Sequence, residues 1–353
     1  MFDFLIVGNG LAANVLALYF HSEKISYHII GNAHLSKCSQ IAAGIWNPIV
    51  FKRMTKSWKA DELIPELNAF YLQSEKLLNA SFYKSRQIIK PFFSPEEKIF
   101  WKKKSESTLG NYIDLGDSLA DADQSQFIIP ENYGVVSQAG NIDVAQFLSA
   151  CIKFNEPNKA ITSETFDYTQ LKIERNLVSY KNLKAKNIIF CEGYLVKNNP
   201  FFSWIPLNPV KGEVIEIDCP ALNPTSSIYN RNGFIINTNG NNYKVGATYN
   251  WSDLTESTTV AGLNELKAKL DLMITAPYSI LKHEAGIRPS SIDRRPIIGK
   301  HPNKANLYVF NGLGTKGVMI APFFSKKFVN FFLKNEELDS EINVSRFYST
   351  HFK

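Results

Sequence analysis

Gly8, Gly10 and Ala13 stand in the stretch DFLIVGNGLAANVLALYFHSEK, residues 3–24, at a spacing that brings a peptide backbone against a diphosphate. Four consecutive apolar residues, 4–7, leave no polar face and read as a buried strand. Residues 11–20 are rich in Ala and Leu, lack Gly and Pro, and read as a helix. Between them Gly8 makes the tight turn, Gly10 admits a pyrophosphate, and Ala13 keeps the helix close to the strand. The N–H groups of Leu11, Ala12 and Ala13 then face negative charge. The next expected strand, 25–30, ends in Gly31-Asn32, where such folds carry an acid for the ribose hydroxyls. Asn32 can bond a hydroxyl only without charge, and NADP stays open at this point.

A second glycine-lined bend lies far along the chain, in LYVFNGLGTKGVMIAP, residues 307–322. An apolar run, 307–310, leads into Gly312, Gly314 and Gly317 and then into a long apolar helix. Were this a redox site, unpaired N–H groups at that helix start would stabilise an anionic reduced flavin at its N1–C2=O edge; a flexible turn is the other reading. Lys316 in this turn can assist such a ring or simply point to solvent. Just upstream, Arg288 sits between Ile287 and Pro289 in an apolar approach. It can clamp a carboxylate through two parallel bonds or serve a surface ion pair. Tyr229 and Tyr249, on expected strands, can bond a carboxylate or amine or can be ordinary strand aromatics.

Composition narrows the class. The 353 residues allow two domains, or one with a large insertion, and 44% apolar with 20% charged residues is ordinary for a folded soluble chain. A formal charge of +6 is spread along the sequence without the basic stripe of a nucleic-acid binder. The densest run, Lys102-Lys103-Lys104, reads as a solvated face. Four cysteines and six histidines are scattered without metal or redox spacing, so no metal is expected. With no signal-like start and no stretch of membrane-crossing length, a cytoplasmic protein without an integral membrane segment is the expectation.

The elements that must position these residues follow from periodicity. Residues 58–78 read as a helix with Leu63, Leu67, Phe70, Tyr71, Ser74, Leu77 and Leu78 in one stripe, and 141–154 as another with Ile142, Ala145, Phe147, Leu148 and Cys151 inward. Residues 36–50 read as loop and turn, and 83–116 as short β-like runs between polar turns. A short buried strand, 184–193, ends in Gly193. Residues 210–218 alternate as a half-exposed strand should, and 234–237 with 243–247 flank a hairpin turn at Gly240. Residues 263–274 read as an amphipathic helix. Nucleotide-side elements thus fall at the start, middle and end, with alternating strands between. Two discontinuous domains are expected: 1–80, 141–206 and 284–353 for nucleotide, 81–140 and 207–283 for substrate.

In order along the chain, Gly8-x-Gly10-x-x-Ala13, CSQIAAGIWNP (38–48), IIFCEG (188–193), NPVKGEVIEI (208–217), VGAT (245–248), AGIRPSSIDRRPIIG (285–299) and NGLGTKGVMIAP (311–322) resemble the D-amino-acid oxidase and glycine oxidase superfamily of FAD-dependent oxidoreductases. The resemblance implies an α/β fold: a Rossmann-like, glutathione-reductase-type FAD domain with a mixed, mainly antiparallel β-sheet substrate domain. It implies FAD held by Gly8, Gly10, Leu11, Ala12 and Ala13 and, near the ribose, by Gly31 and Asn32. Ser39, Ala43 and Gly44 match the loop passing the flavin, Gly193 the glycine after the backing strand, and Gly314, Thr315, Lys316, Gly317 and Val318 the turn at the pyrimidine edge. Arg288 matches the arginine that binds substrate carboxylate. The implied activity is oxidation of an amine or amino acid by hydride transfer to flavin N5, with oxygen or another electron acceptor. A 2-hydroxy acid dehydrogenase and a catalytically silent nucleotide-binding module are the alternatives. Gly31-Asn32 departs from the family's acidic ribose ligand. No cysteine stands near Arg288 or Lys316, so FAD is expected to be non-covalent.

Overall fold

The computed structural model describes residues 1–32, 37–116, 126–129 and 132–352. Among them, one eight-stranded sheet is centred on Phe2–Val7, which pairs in parallel with Tyr27–Ile30 on one side and Leu183–Phe190 on the other. Ile161–Thr162 extends it beyond Tyr27–Ile30. The strand Leu183–Phe190 shares its far edge. Its first half pairs antiparallel with Leu177–Tyr180, and its second half pairs in parallel with Lys304–Asn311. Helices Leu11–Ser22 and Gly317–Lys334 lie together on one face of this sheet and join its core through Leu16, Phe20, Phe324 and Phe328.

The second sheet has nine strands among the described residues. Its order is Ser279–Arg288, Val210–Asp218, Asn242–Gly246, Phe234–Asn239, Ile228–Asn230, Tyr83–Phe92, Asn132–Ile142 and Ile45–Trp46, with Ile113–Leu115 also on Asn132–Ile142. Every pairing is antiparallel except that of Ile228–Asn230 with Tyr83–Phe92. Period-2 alternation then divides its side chains. Ile215, Tyr229, Ile235 and Val245 pack under the helix Val260–Asp271 through Leu266 and Leu270. Ile88, Val136, Ile228 and Ile236 face the other way and merge with the core of the first sheet.

That double cover explains one departure from expectation. Val210–Asp218 alternates in sequence but is buried on both faces. Its polar residues are paired internally: Lys211, 0% exposed, reaches Asp253, while the Glu213 carboxylate accepts the Thr259 N–H at 3.0 Å and its hydroxyl at 2.8 Å. Other differences are local. Residues 37–41 form a short helix, Lys37–Ile41, within the segment read as loop. The helix Pro95–Ser105 occupies a stretch read as β-like runs. Ser94 accepts the Glu97 N–H, Pro95 opens the first turn, and Trp101 is its one buried side chain, while Lys102, Lys103 and Lys104 close its last turn. In Val144–Asn155, capped by Asp143, the inward face is Val144, Phe147, Leu148, Ala150 and Cys151. Ile142 belongs to the preceding strand and Ala145 points outward. Leu77 also lies outside the buried stripe of its helix. Among the described residues, no helix is long and apolar enough to cross a membrane.

Arg86 bolts the second sheet internally. It is 8% exposed, and its guanidinium donates to Asn141 Oδ1 at 2.8 Å and to the carbonyls of Thr225 and Asn237, each at 3.0 Å. Substituting Arg86→Met leaves those acceptors buried and unpaired, and is expected to cost about 3 kcal/mol of folding free energy. Urea unfolding of the two proteins checks this, and coincident midpoints would contradict it.

Candidate active site

The strand Phe2–Val7 ends at Gly8, whose φ of +111° lies where other residues are strained. A Cβ there would collide with the carbonyl oxygen of Cys191, and one on Gly31 would stand 2.7 Å from Asn9 N. The ends of three adjacent strands therefore meet without side chains between them. Asn14, 0% exposed, holds the loop from within by donating to Asn9 Oδ1 at 2.9 Å and to the Gly10 carbonyl at 3.0 Å. Gly10 then starts Leu11–Ser22 with no side-chain cap and no acid in the first turn. Ser39 approaches this end, its hydroxyl accepting the Leu11 N–H at 3.3 Å. The N–H groups of Ala12 and Ala13 belong to the same turn, where helix geometry supplies no acceptor. A cavity of about 300 Å³ borders the loop, lined by Asn9, Gln40, Ala145, Leu148, Ser149 and Ile152.

The second glycine bend comes to the same place. Gly312 and Gly314 have positive φ, and Asn311 Nδ2 donates to the Gly193 carbonyl at 2.9 Å, tying the bend to the end of Leu183–Phe190. Gly314 N–H reaches the Pro289 carbonyl at 3.2 Å. The helix Gly317–Lys334 follows, again with no side-chain cap and no acid in its first turn. A Cβ on Gly317 would lie 3.0 Å from Leu11 Cδ2, so the first residues of the two helices touch. By contrast, the helices beginning at Pro95, Val144 and Val260 are each capped by their own Ser, Asp or Thr. Gly44 has φ +64° and sits against the Ile142 carbonyl, with half-buried Ala43 before it. In the second bend Thr315 is exposed, whereas Val318 turns into the core. Asn32 is half-buried at the edge of the first loop.

Arg288 ends its strand with its guanidinium lying over Gly212, where any Cβ would strike it. It donates to the Thr248 carbonyl at 3.2 Å, and the Tyr249 ring stacks beneath it at 4.6 Å. Among the described residues, no carboxylate is within ion-pair distance of Arg288. Tyr249 is 53% exposed and stacks on Trp251. Tyr229 does not join them. Its ring is 1% exposed, stacked on Phe127 at 3.7 Å on the helix-covered face, so the strand alternation that buries it also aims it away.

Lys316 departs from the solvent-exposed alternative. Its ammonium is drawn inward onto the Ser57 hydroxyl and, at 3.4 Å, the Asn47 carbonyl, and burial lowers its pKa from the usual 10.5 to about 8. Glu192, beside Gly193, is pushed up to about 7 by burial, against hydrogen bonds from Asn199 and Tyr168 that lower it. Neither Glu192 nor the pair Asn9 and Asn14 was visible to spacing. Their only sequence signal is a polar residue inside an otherwise small or apolar junction.

The family model described as DAO, FAD dependent oxidoreductase, matches residues 3–330. Glycine oxidase of Bacillus subtilis (strain 168) is 26% identical over 185 residues, 49% of this chain and 50% of that protein. The chain spans about half the length of the curated relatives it matches. Glycine oxidase from Bacillus cereus ATCC 14579 has the same fold, with a TM-score of 0.78 at 17% identity over 96% of this chain and 99% of that one. L-proline dehydrogenase from P. horikoshii superposes with a TM-score of 0.75 at 14% identity, covering 99% of each.

The inward Lys316 has a pH signature. Because its folded pKa lies below the unfolded one, the unfolded chain binds more protons between about pH 8 and 10.5, and stability rises with pH across that window. Relative to a Lys316→Met variant, the native protein is expected to gain stability from pH 8 to 10.5 in urea unfolding. Parallel curves would show the ammonium to be solvated.

Proposed function

The chain belongs to the DAO family of FAD dependent oxidoreductases, and we propose that it oxidises the C–N bond of an amine or amino acid whose carboxylate docks on Arg288. The observation carrying this reading is a guanidinium over a glycine floor, with no carboxylate partner among the described residues. Arg288 ends a strand whose next residue, Pro289, accepts the Gly314 N–H of the second glycine bend.

The residues present fit FAD. Two uncapped helix starts meeting at Leu11 and Gly317 offer N–H groups to an anion, and Gly8 and Gly31 let the strand ends beneath them close up. The Leu11, Ala12 and Ala13 N–H groups with Ser39 would hold the diphosphate, and Asn32 would meet the ribose without charge. Gly44, Gly193 and the turn 314–318 would border the flavin, with segments 1–80, 141–206 and 284–353 forming the cofactor domain and 81–140 with 207–283 the substrate domain. FAD, when bound, would supply the acceptor for one hydride, that is, for two electrons and a proton.

The protein's own part is positioning. Arg288 fixes the carboxylate in two-point contact, and stacking on Tyr249 restricts the guanidinium plane. With the head group fixed, the α-carbon is held in one orientation, which is worth several kcal/mol of barrier in well-aligned sites. Hydride transfer from the α-carbon needs no strong protein base when the amine is already neutral. Lys316 contributes positive potential at the second bend. Electrons then pass to oxygen or another acceptor.

The purified protein is expected to show a flavin spectrum that bleaches anaerobically with glycine, sarcosine or a related amino acid. Substituting Arg288→Ala is expected to lower kcat/KM for carboxylate-bearing amines about a hundredfold with flavin content unchanged. Unaltered turnover in that variant would reject the clamp.

A further inference from the structure

Five residues cannot hold a helix by themselves, because nucleation costs more than a single turn returns. The short helix Lys37–Ile41 is therefore placed by what surrounds it. On one side it serves the first glycine turn. Ser39 accepts the Leu11 N–H at 3.3 Å, and Gln40 stands with Asn9 in the wall of the cavity beside that loop. On the other side the helix rests on the strand Ser279–Arg288. A Cβ on Gly286 would lie 2.9 Å from Cys38 Cα, 3.2 Å from Cys38 N and 2.9 Å from Ile41 Cδ1, so helix backbone runs directly against the strand.

Lys244 completes the hold. Strand register sets it opposite Glu216, which stands opposite Lys282 and is paired with it at 3.2 Å. The Lys244 ammonium instead leaves the sheet and donates to the carbonyl of Ile41, the last residue of the helix, at 3.2 Å. The final carbonyls of a helix have no partner within it, and a lysine supplies one. Burial lowers the pKa of Lys244 even though Glu284, Asp143 and Glu216 favour its charge, as fits an ammonium enclosed between sheet and helix. The same register puts Lys244 and Gly286 on the face of the sheet that carries Arg288.

We propose that Lys244 and Gly286 are positioning residues for the cofactor: from the second sheet they hold Lys37–Ile41 at the depth where Ser39 reaches the diphosphate turn. The proposal rests on the reading of the Leu11 turn as the diphosphate site. Lys244 spends its ammonium on Ile41, and Gly286 has no side chain, so their effect on the cofactor passes through the helix. The strand that ends in Arg288 and the turn that takes the diphosphate then share one spacer. The separation between carboxylate clamp and cofactor is set there, by a contact that only glycine allows.

The test reads flavin binding rather than turnover. The flavin-loaded full chain is diluted stepwise, and released FAD is followed by its fluorescence. Lys244→Met and Gly286→Ala are each expected to raise the dissociation constant of FAD about tenfold, while Lys244→Arg keeps the native value. In a Ser39→Ala background Lys244→Met should add nothing, because the group it positions is already gone. Three results overturn the proposal: a native constant in Lys244→Met, a loss that recurs at full size in the Ser39→Ala background, or a loss that vanishes at high salt as a through-space charge effect would. Where Gly286→Ala does not fold, Lys244→Met decides alone. If no amino acid bleaches the flavin while the Lys244 effect runs through Ser39, the positioning role stands and the amine-oxidation reading falls.

Discussion

Two helix beginnings press against each other where Leu11 meets Gly317, and the surrounding architecture depends on that contact. Each helix start carries partial positive charge from unpaired N–H groups, and neither supplies an acid or a capping side chain of its own. Lys316 adds a full charge at the second start, held away from water on Ser57 and Asn47. Like charges gathered in this way repel, and an anion is what relieves them. The small residues around them serve the same end. Gly8 and Gly31 let strand ends close up without obstructing the approach, and Asn14 secures the loop from behind rather than from the ligand side.

Opposite that charge, the second sheet is made stiff by polar groups buried inside it. Lys211 ties the strand Val210–Asp218 to Asp253, in the same connecting loop that presents Tyr249 and Trp251. Glu213 joins that strand to the start of Val260–Asp271. Breaking either pair would leave a charge in the interior, so these contacts fix geometry more than they add stability. Arg288 is the beneficiary. Its strand pairs along nearly its whole length with Val210–Asp218, and its side chain rests in the gap left by Gly212. A guanidinium held by its neighbours in this way has little freedom left to lose.

How much of this was readable beforehand varies residue by residue. The turn at Gly8 and the bend at Gly312–Gly317 could be read because steric demand restricts the residue type at a known spacing. Their meeting could not be derived from spacing, since no local pattern encodes contact between residues so far apart. It entered only as an implication of family resemblance. The strand Val210–Asp218 misled because alternation distinguishes two faces without saying whether the polar one is wet or internally paired. The helix Pro95–Ser105 hid behind a charged exterior and a single buried tryptophan, although Ser94-Pro95-x-Glu97 is a start signal. Tyr229 and Tyr249 read alike as strand tyrosines, but only Tyr229 lies in a strand, facing the helix-covered side, whereas Tyr249 falls in the loop after Asn242–Gly246. Asn9, Asn14 and Glu192 matter through partners that periodicity does not relate.

The touch between Leu11 and Gly317 also has a bearing on biosynthesis. Chains emerge from the ribosome amino end first, and the opening strand–turn–helix unit is complete within the first two dozen residues. Its companion bend is made roughly three hundred residues later, a separation that makes the closing step slow and late. A ribosome-bound chain therefore presents the first helix start alone until the second bend has emerged. A ligand that needs both starts at once accordingly meets a complete site only after that bend has folded back onto the first.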